Sequence, residues 1–136
     1  MLPFSVTFRP GASVHEQVVF AVKRACVRGQ LRPGDSFPSV RALSQELRIN
    51  PNTGHKIVSA LVAEGLLEVR PGVGTIVAKA PAASRGQRRA LLGQGVERLV
   101  VEARKLSLDL DEVVEAVRDR WESLNSTRHE SGARRV

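Results

Sequence analysis

The sequence predicts a mainly α-helical protein with one small β-hairpin: a winged helix-turn-helix followed by a two-helix C-terminal dimerisation tail. Three observations predict it. Two short amphipathic helices with a sharp break between them occupy residues 37–64, β-branched segments around a glycine-rich turn follow at 67–78, and heptad-spaced apolar residues fill 89–124. With an earlier helix in front, this order of elements is typical of a winged helix that carries an αα-hairpin.

The charge of the chain favours a polyanionic partner. Its 136 residues carry a formal net charge of +7, and the sequence pI is about 11.0. Ten Lys and Arg against five Asp and Glu give residues 1–80 a net +5, whereas eleven against nine give residues 81–136 a net +2. Four Phe, one Trp and no Tyr leave few aromatic platforms for the bases of single strands. The expected partner is therefore double-stranded DNA.

The sequence also predicts a cytoplasmic, nucleoid-associated protein. Cys26 is the only cysteine, so the chain cannot form an internal disulfide, and a reducing compartment is the default. No apolar run approaches the roughly 18 residues that a membrane span needs. The N-terminus lacks the basic and apolar blocks of a secretory signal. We expect no membrane partner.

The first long helix has clear start and stop signals. Residues 1–12 alternate apolar and polar side chains and predict a short extended segment. Ser13 then begins the helix, and Glu16 completes a Ser-x-x-Glu capping box. Gly29 is expected to end it as a C-cap.

The helix pair that follows has the features of a helix-turn-helix. Ser39 can accept from the first free N–H groups of one helix, whose apolar face carries Leu43 and Leu47. Asn50 caps the second helix, and Pro51 occupies its first position, where a missing N–H costs nothing. Short polar side chains and a helix N-terminus thus form the tip that a helix-turn-helix inserts into the major groove.

Four parts are predicted along the chain. Residues 1–80 form the winged-helix DNA-binding domain, in which two strands flank the turn 71–74, and residues 81–88 form a linker. Residues 89–124 form an αα-hairpin dimerisation tail, and residues 125–136 are expected to be a disordered basic tail. The residues predicted to form the dimer interface are Leu92, Val96, Leu99, Leu110, Val114, Val117 and Trp121. Trp121 has an alternative role, lining a ligand site, although it keeps the heptad register.

Candidate DNA contacts come from three places in the winged helix. The helix before the turn provides a guanidinium that can reach a phosphate or a guanine edge, the recognition helix provides amide, hydroxyl, imidazole and ammonium groups, and the wing brings backbone close to DNA. The predicted DNA-binding residues are Arg41, Asn50, Asn52, Thr53, His55, Lys56, Arg70, Gly72 and Gly74. For Arg41 and His55 the alternative is an ordinary exposed polar side chain.

Residues 10–80 resemble the winged-helix domain of the GntR family of bacterial transcription regulators. The matching pieces are PG-x3-PS-x-R, the EGLL turn and R-x-G-x-GT-x-V in the wing. The NPNT start and the short tail further resemble the YtrA subgroup, which has no large effector domain and dimerises through C-terminal helices. By this resemblance, the positions that contact operator DNA in the family correspond to Arg41, Asn52, Thr53, Lys56 and Gly72.

The chain departs from the family pattern at three positions. Gly54 replaces an apolar residue, which costs about 1 kcal/mol of helix propensity and is expected to remove a core contact. His55 stands where some members carry a contacting Arg, so the operator sequence does not transfer. Ser107 replaces the Gly expected at the end of the fourth helix.

The resulting prediction is a homodimeric, sequence-specific transcriptional regulator, a repressor, that binds a palindromic operator. The alternative is a winged-helix module that binds protein without reading DNA sequence. The three His residues lie in separate segments, and no nucleophile, acid and base converge, so we expect no enzyme, metal or cofactor. A small-molecule effector remains open; it would bind at the hinge or in the dimer interface.

Overall fold

The computed structural model describes residues 2–79 and 84–134, with side chains described up to residue 125. The chain divides into two compact units. We refer to residues 2–79 as the winged-helix unit and to residues 84–126 as the tail unit. The described helices include none that is long and apolar enough to cross a membrane.

Three helices and a hairpin build the winged-helix unit. Helix α1 spans Val14–Arg28, α2 spans Val40–Leu47, α3 spans Pro51–Ala63, and strands β1 and β2 span Leu67–Arg70 and Gly74–Val77. The strands pair antiparallel. These elements confirm the predicted mainly helical winged-helix fold.

The helix boundaries fall where the sequence signals place them. The side chain of Ser13 accepts from the backbone N–H of Glu16, and that of Ser39 accepts from Ala42. Gly29 ends α1 in the left-handed conformation at φ 82°. The residue that ends α2 is also left-handed but is Arg48, at φ 55°, a conformation that is less favourable for a residue with a side chain.

A third strand-like segment, absent from the sequence prediction, lines β2. Ser36 forms an isolated antiparallel bridge with Ile76. The Phe37 N–H donates to the Thr75 carbonyl at 2.9 Å, and the Val77 N–H donates to the Asp35 carbonyl at 2.8 Å. The hairpin is therefore hydrogen-bonded to the segment that leads directly into α2.

The core of the winged-helix unit lies among all of these elements. Its fully buried large side chains come from all three helices and from β1: Val18, Val22, Leu43, Ile57, Leu61 and Leu67. Phe4, from the N-terminal segment, stacks on Phe37 with ring centroids 5.8 Å apart and an interplanar angle of 4°. Because Phe37 precedes α2 by a few residues, this stacking fixes the N-terminal segment against the start of that helix.

The tail unit consists of two consecutive helical arms. Helix α4 spans Arg85–Ala90, a π-helical segment spans Leu91–Gly95, α5 spans Val96–Lys105, and α6 spans Leu110–Arg134. The three consecutive helical segments between Arg85 and Lys105 form one continuous arm. The second arm begins with a reciprocal cap, in which the Asp109 and Glu112 side chains each accept from the other residue's backbone N–H at 2.8–2.9 Å.

Two predicted boundaries of the tail differ from the structure. Helix α4 begins at Arg85, inside the segment 81–88 expected to be a linker, because Ser84 and Gln87 form a complete capping box. Helix α6 continues to Arg134 through most of the segment 125–136 expected to be disordered. No proline interrupts that segment, and extending an existing helix costs far less than starting one.

Candidate nucleic-acid interface

The N-terminal tip of α3 presents polar groups to solvent. The Asn50 side-chain oxygen accepts from the Asn52 backbone N–H at 2.8 Å, which fixes the first turn of the helix. Asn52, His55 and Lys56 are exposed, and Thr53 is half-buried. Amide, hydroxyl, imidazole and ammonium groups are the side-chain types that contact base edges and phosphates.

Arg41 belongs to the same surface. It is exposed in the first turn of α2, and it makes no ion pair with any residue that the structure describes. Arg41 and Pro51 border one shallow, mostly apolar groove, together with Gln45 and Ile49. The helix-turn-helix therefore brings Arg41 beside the start of α3, as its proposed role in DNA contact requires. Gln45, exposed beside Arg41, was not among the predicted contacts.

The wing turn is open and conformationally demanding. Gly72 and Gly74 have φ values of 78° and 110°, in the region that favours glycine, and no atom lies near the space that a Cβ would occupy at either residue. Both are exposed, so the backbone itself forms the tip of the wing. Arg70, predicted to contact DNA, is exposed but pairs with Glu68 at 3.0 Å on the same strand. An exposed pair of this kind is weak and can exchange for a phosphate.

Gly54 lies at the crossing of α2 and α3. Glycine at this position is predicted to lose a core contact, but in the structure it allows a close approach of the two helices. A Cβ at this position would overlap the Oγ of Ser44 and would reach ordinary contact distance, 3.5 Å, from Val40. Ser44 itself is buried, at 4% exposure, and its Oγ has no hydrogen-bond partner among the described residues.

Ser44, which was not among the predicted residues, is therefore buried where α2 meets α3 and faces Gly54. Its sequence signal was weak, because a serine between Leu43 and Gln45 could equally have faced solvent. The pairing with Gly54 becomes visible only when both helices are in place.

The predicted dimer interface is exposed in the tail unit. We call the seven residues predicted to form this interface the seam. Leu92 is 73% exposed and Trp121 is 71% exposed, and the remaining seam residues are also accessible to solvent. The other exposed seam residues are Val96, Leu99, Leu110, Val114 and Val117. Trp121 does not line any of three shallow grooves in the described residues. Its exposure supports the seam interpretation more than a ligand-lining role.

In the part of the chain that the structure describes, no group of three or more His, Cys, Asp or Glu residues is arranged to hold a metal ion. The acidic residues at the start of α6 serve instead as the helix cap described above.

Known proteins resemble this chain in sequence and in fold. The family model for bacterial regulatory proteins of the gntR family matches residues 14–77. The HTH-type transcriptional repressor YtrA of Bacillus subtilis is 27% identical over 112 residues, which cover 82% of this chain and 86% of YtrA. YhcF, an uncharacterized HTH-type transcriptional regulator of the same organism, is 28% identical over 111 residues, covering 82% of this chain and 92% of YhcF.

The similarity in fold extends along most of the chain. The crystal structure of a transcriptional antiterminator from Listeria monocytogenes matches with a TM-score of 0.79 and 20% identity, covering 90% of this chain and 92% of that one. At that identity the match shows the shared fold alone. The family match covers α1 to β2, the elements that position Arg41, the tip of α3 and the wing. Residues 14–77 therefore form a winged helix of the gntR family of bacterial regulatory proteins.

Proposed function

We propose that this protein is a repressor that binds a palindromic operator as a homodimer. Each protomer places the N-terminal end of α3 in the major groove, with Arg41 beside it and the wing over the adjacent backbone or minor groove. The observation that carries the proposal is the solvent-facing tip of α3: a capped helix N-terminus with Asn52, His55 and Lys56 exposed around it. The name of its relative YtrA, a transcriptional repressor, supports the sign of regulation.

The tail unit supports the homodimer part of the proposal. Its seam residues repeat at heptad spacing and are exposed in the single chain. A second copy related by two-fold symmetry would cover the same surface on both protomers. Such symmetry predicts two half-sites about one helical turn, roughly 34 Å, apart, or a multiple of that distance.

We further propose where in the cell the repressor acts and how an effector would release it from DNA. A repressor that occupies chromosomal DNA works in the cytoplasm, in association with the nucleoid. An effector can shift only an equilibrium between two states that it binds with different affinity. We expect an effector in the dimer interface or at the hinge to act by changing the distance between the two winged-helix units of the dimer. Its chemistry is open.

The test is a selection of bound duplexes from a random-sequence pool, followed by titration over a range of salt. We expect an enriched inverted repeat, and we expect the logarithm of its affinity to fall linearly with the logarithm of salt concentration as counterions are released. An enriched site without two-fold symmetry would contradict the dimeric binding mode. If no duplex binds even at low salt, the alternative function, a winged-helix module that binds another protein, becomes the better interpretation.

A further inference from the structure

A continuous stretch of the chain without acidic residues begins in the wing and ends inside the tail. Residues 69–96 contain Arg70, Lys79, Arg85, Arg88 and Arg89 and no Asp or Glu. The following residues 97–125 hold eight acidic side chains against five basic ones. The net charge is therefore positive immediately after the wing and negative farther along the tail.

Three of these cations lie on one helix. Arg85, Arg88 and Arg89 lie at positions i, i+3 and i+4 of α4, which places them on one face. All three are exposed, and none forms an ion pair with a residue that the structure describes. Three guanidinium groups that repel one another on two turns of helix are stabilised most by an array of negative charges with regular spacing.

We infer that this arginine face of α4 (Arg85, Arg88 and Arg89) is a second DNA-contacting surface, which binds phosphates of the duplex beyond those reached by the winged helix. The inference rests on the proposed binding of duplex DNA. It adds a site outside the family-matched residues 14–77. Arginine suits this role because its planar fork binds phosphate oxygens through paired hydrogen bonds.

Chain connectivity supports DNA as the occupant. Five residues lie between Lys79, the last described residue of the winged-helix unit, and Arg85, and the six steps along the chain extend over at most about 20 Å. That reach is about half of one turn of B-DNA, so the phosphates next to those under the wing are accessible to α4. Contacts of this type carry no sequence information, but they raise affinity and hold the register of the protein on the duplex.

The competing occupant is a second copy of the chain, whose acidic tail residues could pair with the arginines. The duplex is favoured because the basic stretch runs on from the wing without an acidic interruption, whereas the acidic residues of the tail are interspersed with Arg98, Arg104, Arg118 and Arg120. An acidic face on the partner would thus be broken by cations.

The test compares the full chain with the variant Arg85→Gln/Arg88→Gln/Arg89→Gln on a selected duplex of about 40 base pairs, long enough to extend beyond both half-sites. Each phosphate contact contributes about 0.9 to the slope of log affinity against log salt. We expect the slope to become shallower by roughly 3 to 5 for the two triplets of a dimer. The same loss is expected on a duplex of unrelated sequence.

The matched control is Arg104→Gln/Arg118→Gln/Arg120→Gln, which removes the same charge from exposed positions of the acidic tail. It should leave the slope within about one contact of the wild type. An equal loss in both triple variants, or an unchanged slope in the α4 variant, would overturn the inference. Dissociation of the α4 variant into monomers in light scattering would assign the arginines to the partner copy instead. A wild-type protein that binds no duplex would refute the proposed function itself, a result separate from all of these.

Discussion

The winged-helix unit has a core of buried large apolar side chains, whereas in the tail unit most large apolar side chains lie on the surface. The first unit buries six large side chains completely, from three helices and a strand. Within the described part of the tail unit, Ala103 is the one buried apolar residue, while twelve large apolar side chains between Leu91 and Trp121 are exposed. The winged helix therefore completes its own core, and the tail must gain its stability from another surface.

In the proposed homodimer, this difference would have a functional consequence. A winged-helix unit that folds by itself would keep the tip of α3, Arg41 and the wing in the same arrangement in the monomer and in the dimer. A tail unit that is stable only when associated would make the fraction of dimer, with its two winged-helix units, depend on protein concentration. Affinity for a two-fold operator would then change with assembly, without any change in the head.

The largest expected effect tests whether the core of the head is independent of the tail. Leu61→Ala removes a fully buried side chain from α3 and should lower the unfolding free energy of the winged-helix unit by about 3 to 5 kcal/mol, because a cavity remains. The exposed tail residue provides the matched control: Leu99→Ala should change that free energy by less than about 0.5 kcal/mol. Hydrogen exchange of amides in α1 and α3 measures the unit separately. An equal loss of unfolding free energy in both variants would show that the winged-helix unit and the tail unit unfold together.

The second effect tests whether the exposed seam is an interface. Val117→Glu places two like charges in an apolar contact between protomers and should raise the dimer dissociation constant at least about 100-fold, or roughly 3 kcal/mol. Light scattering over a concentration series measures this change. Ala116→Glu adds the same charge one residue away from the seam and should leave dimerisation nearly unchanged. A Val117→Glu protein that remains dimeric at wild-type concentrations would place the interface elsewhere.

The sequence predicted the helices, the hairpin and their caps well, because those signals are local. Ser13, Ser39 and Asn50 each cap the helix that they precede. The bridge from Ser36 to Ile76 was missed, since the segment 34–37 has too few residues to show strand periodicity and pairs with residues far along the chain. Gly54 was misread for a related reason: its meaning depends on Ser44 on another helix.

The extent of the tail helices was also harder to predict than their existence. The capping box of Ser84 and Gln87 was missed because the segment 81–88 has a composition typical of linkers. Eight of the nine candidate DNA-contacting residues are exposed, and Thr53 is half-buried. Which of them contacts a base remains a prediction, since that depends on the operator.

The third effect concerns the reading surface. Arg41→Ala should weaken binding to the selected duplex by about 1 to 3 kcal/mol and should relax the preference at one base pair if the guanidinium reads a base edge. Its unfolding free energy should stay within about 0.5 kcal/mol of the wild type, because Arg41 is exposed. Arg104→Ala, in the tail, removes the same charge and should change affinity far less. An Arg41→Ala protein with unchanged affinity would contradict the role assigned to this residue.

The smallest expected effect concerns the contact that sets the position of α3. Alanine at residue 54 gains about 1 kcal/mol of helix propensity over glycine, but its Cβ requires the Ser44 hydroxyl to leave its present position. Alanine at residue 44 removes that hydroxyl, which is buried and has no hydrogen-bond partner among the described residues. Gly54→Ala should therefore stabilise the protein less in the wild-type background than in the Ser44→Ala background, by about 1 kcal/mol of coupling.

A double-mutant cycle in chemical denaturation measures this coupling, and duplex affinity measured on the same four proteins separates stability from function. If Ser44 and Gly54 set the spacing of α2 and α3, the double variant should be the most stable of the four, because both the overlap and the unpaired hydroxyl are gone. Additivity within about 0.3 kcal/mol would show that the hydroxyl rotates away freely and does not constrain residue 54. A more stable double variant with weaker DNA binding would mean that the head holds α3 in the position its operator requires, at some expense of packing.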